Sequence, residues 1–266
     1  MKRVAAAALL LAVAALVVVG PMVAWQERMI YFPQQARLAD WTPPGLAPWP
    51  SADDARGLAA SPEGPPRATA VVFHGNAGHA GQRAMYAQQL TRLGVRTILA
   101  EYPGYGPRPG TPGEATLVAD AVRTLELAAG EFGAPLIVIG ESLGSGVAAA
   151  ATARAPEQVA GLMLFTPWDK LEHVAAHHYP WLPVRWLLRE HYDIAADLAR
   201  LGKPVWIAVA AHDEVVPAEL GVALHAGLSG PRRLIVIEGA SHNDWWNRFG
   251  EGGWQAALDF VLGATH

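Results

Sequence analysis

The sequence predicts an α/β protein with a mostly parallel central sheet flanked by helices, and two observations carry that prediction. From Ala68 onward, short apolar runs alternate with helix-like segments, and the runs are rich in Val, Ile and Leu without polar–apolar alternation. That is the pattern of strands buried on both faces and joined by crossover helices. In addition, the residues with chemical potential stand directly after the apolar runs: His74, Ser142, Asp213 and His242. Open α/β sheets gather functional groups at the carboxyl ends of their strands. A length of 266 residues suits one sizeable domain with a single core.

Taken in chain order, the first element is an anchor. Lys2 and Arg3 precede an uncharged, mostly apolar stretch from Val4 to Trp25. As a helix it spans roughly 30 Å, the thickness of a hydrocarbon core. The basic pair places its start in the cytoplasm and the rest of the chain outside. Trp25 and Tyr31 suit the membrane–water boundary. Residues 1–25 therefore read as an uncleaved membrane anchor, with residues 26–266 on the periplasmic side of a bacterial inner membrane. The alternative is a secretory signal peptide removed on export. The run is longer than a usual signal core, and Met22-Val23-Ala24 is a poor cleavage site.

Residues 26–266 form the remaining domain. Residues 26–66 read as irregular, with turn signals at Pro43-Pro44-Gly45 and Pro65-Pro66 and room for a strand at 55–60. Strands are expected at 70–73, 95–100, 136–140, 159–165, 204–210 and 234–238. Helices are expected at 81–93, 114–129, 142–153, 218–228 and 254–262. Residues 168–200 break the alternation. They are too long for a plain connection and too rich in Trp and Leu for a free loop, so they read as a small helical cap over the site.

Composition excludes several function classes. The net charge is −4 without a long run of one sign, so nothing marks a nucleic-acid footprint. The absence of cysteine removes disulfides, thiolate catalysis and Cys-ligated metal centres. His173 and His177 share helical spacing, and His178 adjoins them, but a third ligand is not identifiable. No metal or cofactor is expected.

The chemistry centres on Gly140-Glu141-Ser142-Leu143-Gly144. A strand precedes it and an alanine-rich helix follows. A sharp strand-to-helix turn of this kind exposes a serine hydroxyl above a helix N-terminus, which favours developing negative charge. Such a serine needs a base, and the base needs an orienting acid. His242 follows the last strand and Asp213 the one before it, giving the chain order Ser, Asp, His. Glu214 and Asp169 are rival acids. The Leu143 N–H is one expected oxyanion donor, and the Asn76 N–H, in the loop 74–78, is the other, with Ala77 as the alternative. His74 is expected to support that loop by hydrogen bonding, and Glu141 to support the turn.

Five segments together carry a family resemblance: His74-Gly75-Asn76-Ala77-Gly78, Tyr102-Pro103-Gly104-Tyr105-Gly106, the Ser142 pentapeptide, His212-Asp213-Glu214-Val215-Val216-Pro217 and Gly239-Ala240-Ser241-His242-Asn243. The combination resembles the Bem46-like α/β-hydrolases, a group that includes ABHD13-type and ABHD17-type proteins. Residues 27–33, after the anchor, are also similar. The resemblance implies the α/β-hydrolase fold, a Ser142–His242–Asp213 triad and an oxyanion hole from Asn76 and Leu143. It also implies that the loop 102–106 lines the site. Tyr102, Tyr105, Trp168, Trp181 and Trp186 are the expected substrate contacts. The expected activity is hydrolysis of small or lipid-like carboxylic esters through an acyl-enzyme. Acyl transfer, amide or thioester cleavage on the same triad, and a silent hydrolase fold that only binds, are the alternatives.

Overall fold

The computed structural model describes residues 17, 19–133 and 135–263. Its centre is an eight-stranded sheet. In chain order the strands are β1 (Ala47–Pro50), β2 (Ala55–Ala60), β3 (Ala68–Phe73), β4 (Val95–Ala100), β5 (Leu136–Glu141), β6 (Val159–Phe165), β7 (Val205–Ala210) and β8 (Arg232–Ile237). Their spatial order is β8-β7-β6-β5-β3-β4-β2-β1. β2 pairs antiparallel with β1 and β4, and all other pairings are parallel. The order reverses at β3, flanked by β4 and β5, which is the switch point where a parallel sheet opens a crevice.

Alternate strand residues serve opposite faces. Leu136 and Val138 of β5 join Val71 and Phe73 in one apolar layer, while Ile137 and Ile139 join Val72 and Phe165 in the other. The first layer is covered by α2 (Glu114–Phe132) and α3 (Leu143–Arg154). The second is covered by α1 (Ala84–Arg92) and α8 (Trp245–Leu262). The alanines of α3 let it lie close against the sheet, and every residue from Leu143 to Thr152 is buried.

Three short helices form the cap: α4 (Leu171–His178), α5 (Val184–Leu187) and α6 (Ile194–Leu198). α7 (Ala218–Gly227) follows β7. β1 falls in the stretch expected to be irregular. Its prolines, Pro48 and Pro50, hid it, and they are tolerated because β1 is an edge strand. α8 starts at Trp245, earlier than the expected 254, with a break at Gly250 (φ 66°). The glycine-rich sequence there masks the helical period.

Residues 1–16 and 18, most of the predicted anchor, lie outside the described residues. Residues 19–24 are helical. Among the described residues no helix is long and apolar enough to cross a membrane.

Candidate active site

Ser142 stands between β5 and α3 with φ 50° and ψ −118°, a conformation rarely adopted by residues with a Cβ. Holding it there costs on the order of 1–3 kcal/mol, which the surroundings must offset. The Ser142 N–H donates to the Phe165 carbonyl at 2.9 Å, and the Ser145 N–H donates to the Ser142 carbonyl at 2.8 Å. Both flanking glycines are sterically required. A Cβ on Gly140 would meet Ser145 Cα at 2.6 Å, and one on Gly144 would overlap the carbonyl oxygen of Phe73. The close approach of α3 to β3 thus depends on Gly144.

His242 reaches the serine from the loop after β8. That loop is fixed by the start of α8, where Trp245 stacks on Phe165 with ring centroids 4.2 Å apart. The Ser241 N–H donates to Asp244 Oδ1 at 2.6 Å within the same turn. His242 Nδ1 lies 2.9 and 2.8 Å from the two carboxylate oxygens of Asp213, and Nε2 lies 3.0 Å from Ser142 Oγ. An ionised carboxylate only accepts, so Nδ1 carries the proton and Nε2 presents a lone pair to the serine hydroxyl. Asp213 Oδ1 also accepts the N–H groups of Val215 and Val216, at 2.9 and 2.7 Å. Its side chain is 1% exposed. The structure thus brings Ser142, His242 and Asp213 together. The rival acids lie elsewhere. Asp169 pairs with His173 at 2.8 Å. Glu214 touches only the backbone of His242, accepting its N–H at 3.3 Å.

The loop after β3 is held from behind. His74 Nδ1–H donates to the Gly75 carbonyl at 2.7 Å, and Nε2 meets Glu101 Oε1 at 3.0 Å. In a trans peptide the N–H points opposite to the carbonyl, so anchoring Gly75 O turns the Asn76 N–H the other way. Asn76 and Leu143 line the same cavity as Ser142. The Leu143 N–H belongs to the first turn of α3, whose dipole adds partial positive charge there. A Cβ on Gly75 would find ordinary contact at 3.6 Å, so its glycine is not forced by space.

Four of the five expected substrate contacts require correction. Tyr102 and Tyr105 are buried and lie away from the cavity. The Tyr102 hydroxyl donates to His74 O at 2.7 Å, and that of Tyr105 donates to Asn76 O at 2.8 Å. Burial pushes both phenols upward, keeping them protonated donors. They brace the loop 74–78 and do not line the cavity. Trp181 and Trp186 point into solvent at 61% and 76% exposure. They sit on short cap segments with too little mass above them to bury an indole. Trp168 does line the cavity.

The sequence reading missed two contributors. Glu101 is a buried hub that also accepts Trp41 Nε1–H at 2.6 Å and the Ala80 N–H at 2.9 Å. Its position after β4 was the only signal. The other is the segment 19–32, spanning the end of the predicted anchor and the residues after it, which forms one side of the cavity. Among the described residues no group of three or more His, Asp or Glu is placed to hold a metal.

This geometry can be set against known proteins. A family model described as serine aminopeptidase, S33, matches residues 64–191. An uncharacterized protein of Mycobacterium tuberculosis is 40% identical over 177 residues, covering 65% of this chain and 62% of its own length. The chain thus spans less than two thirds of that relative. Protein bem46 of Schizosaccharomyces pombe is 28% identical over 210 residues, covering 76% of this chain and 69% of its own. The chain has the α/β-hydrolase fold and is similar to the Bem46-like proteins. A monoacylglycerol lipase of Paleococcus ferrophilus shares this hydrolase fold with a TM-score of 0.59 at 18% identity, covering 79% of this chain and 99% of the lipase.

Proposed function

We propose that this α/β-hydrolase cleaves carboxylic esters through Ser142, His242 and Asp213. The observation that carries the reading is the pair of contacts on one imidazole: Nε2 to Ser142 Oγ at 3.0 Å and Nδ1 to Asp213 at 2.8 Å. Ser142 Oγ attacks the ester carbonyl as His242 Nε2 takes its proton. The oxyanion accepts hydrogen bonds from the Leu143 and Asn76 N–H groups. His242 then returns the proton to the leaving alkoxide, leaving an acyl-serine. Water adds by the reverse sequence, with His242 as base, and releases the acid. No metal or cofactor enters these steps.

The cavity favours an ester over a peptide amino terminus. Its lining among the described residues holds no Asp or Glu to pair with an ammonium group, and is mostly aliphatic. Small or lipid-like acyl esters match that surface. The apolar stretch before Trp25 supports a chain tethered at a membrane with this domain outside the cytoplasm. The test is hydrolysis of p-nitrophenyl butyrate by the full chain. Activity is expected, and Ser142→Ala is expected to lower kcat by at least about 10³. Equal turnover by wild type and Ser142→Ala would overturn the proposal.

A further inference from the structure

The cavity above Ser142 has a volume of about 350 Å³, within the range of small-molecule sites. Its far side does not come from the hydrolase body. One wall is the cap, through Leu171, Val174, Tyr179 and Leu188. The facing wall is the segment 19–32, through Val19, Met22, Val23, Met29 and Phe32. Val19, Met22, Val23 and Gln26 follow the i, i+3, i+4, i+7 spacing of one helix face. Trp25 and Arg28 face outward instead. The segment therefore presents a defined stripe to the cavity.

Three hydrogen bonds fasten this wall to the cap. Gln26, at 6% exposure, donates from Nε2 to the Leu187 carbonyl at 3.3 Å and accepts the Arg189 N–H at 2.7 Å. The Tyr31 hydroxyl donates to Glu190 Oε2 at 2.9 Å. A buried primary amide is costly unless satisfied; Gln26 Nε2 also donates to the Val23 carbonyl of its own segment at 2.9 Å, but Oε1 finds the Arg189 N–H only when the wall and cap meet in register.

We propose that the segment 19–32 is one wall of an acyl-binding site, latched to the cap by Gln26, and that this wall selects esters carrying one long unbranched acyl chain. The proposal rests on the ester-hydrolase reading above and adds the substrate class. The lining among the described residues has no Asp, Glu, Lys or Arg. It suits a hydrocarbon tail, with the ester carbonyl at Ser142 and a polar leaving group toward solvent. A single chamber of this size holds one chain. Each methylene moved from water into such a lining raises kcat/KM about threefold to fourfold until the cavity is full.

The test uses the full chain in lipid nanodiscs with p-nitrophenyl acetate, butyrate, octanoate and laurate. Comparing variants under one condition cancels the partitioning of long esters into lipid. The wild-type octanoate-to-acetate ratio of kcat/KM is expected to be on the order of 100 or more. Val23→Trp, which fills the cavity, lowers that ratio at least about tenfold. Met22→Ala, which only removes atoms and tolerates folding best, moves the optimum toward laurate. Gln26→Ala lowers the ratio about fivefold by releasing the wall. Val222→Trp, on the exposed face of α7, leaves the ratio unchanged. Fluorophosphonate labelling of each variant verifies that the serine site is assembled. Ratios within about twofold of wild type in both Val23→Trp and Met22→Ala, with labelling intact, would overturn the wall while leaving the ester-hydrolase reading standing. A wild type that neither hydrolyses any ester nor labels would remove that reading and the wall together.

Discussion

Replacing Asp213 by Asn separates orientation of the base from packing, because the two side chains have nearly the same shape. Asp213 Oδ1 is held as an acceptor by the N–H groups of Val215 and Val216 at 2.9 and 2.7 Å. In Asp213→Asn the amide oxygen must keep that position, so the amide nitrogen takes the place of Oδ2, 2.8 Å from His242 Nδ1. Two donors then face each other. The imidazole escapes by moving its proton to Nε2, which removes the lone pair that faces Ser142 Oγ. The expected loss in kcat is about 10³–10⁴, equivalent to about 4–5.5 kcal/mol of transition-state stabilisation. Steady-state hydrolysis of p-nitrophenyl butyrate by wild type, Asp213→Asn and Glu214→Gln reads this out. Glu214 touches only the His242 backbone, so Glu214→Gln should cost less than about threefold. Retention of a tenth or more of kcat in Asp213→Asn, with Glu214→Gln the more damaging change, would refute the assignment of the acid.

Further outcomes follow from the same contacts. Gly144→Ala pushes a methyl group into the Phe73 carbonyl, a backbone atom that cannot step aside. It should destabilise by about 3 kcal/mol, lowering Tm by about 5–10 °C, and should reduce kcat more than tenfold. Glu101→Gln places an amide donor among the donors that converge on this buried carboxylate. It should lower the urea midpoint by the equivalent of about 3 kcal/mol with an unchanged m-value. Burial pushes the Asp197 carboxyl up to about 6 from its ordinary 3.8. The folded state therefore holds this proton more tightly than the unfolded chain, and stability drains away as pH rises from about 4 to about 6. Asp197→Asn should match wild type below pH 4 and exceed it by about 1 kcal/mol above pH 6.5, allowing for solvent screening of a half-buried group. Urea titrations at both pH values measure that difference.

How much was legible in the sequence varied with the kind of signal. Strands such as Val159–Phe165 and Val95–Ala100 were readable to the residue because nearly all their side chains are buried on both faces and their apolar residues do not alternate with polar ones. Ser142, Asp213 and His242 were legible as candidates because each follows such a run, and glycines mark the turn around the serine. Tyr102 and Tyr105 show the limit of that logic. A position after a strand puts a residue near the crevice, but it does not say whether the ring faces the cavity or props the loop behind it. Residues 19–32 show a second limit. The apolar part, up to Trp25, reads as a lipid-facing anchor and the rest as irregular chain, and only packing against Leu187–Glu190 makes Gln26 and Tyr31 buried contacts. The prolines of β1 and the glycines of α8 concealed real elements because local propensity there yields to the sheet edge and to the aromatic cluster around Phe165 and Trp245.

The central claim is that Ser142 is a nucleophile activated by His242. Treating the full chain with a fluorophosphonate and mapping the adduct by peptide mass spectrometry tests it most directly. The account predicts a single stoichiometric adduct on Ser142, formed much more slowly in His242→Ala and absent in Ser142→Ala. An unlabelled wild type, or an adduct on any other residue with Ser142 unmodified, would contradict it.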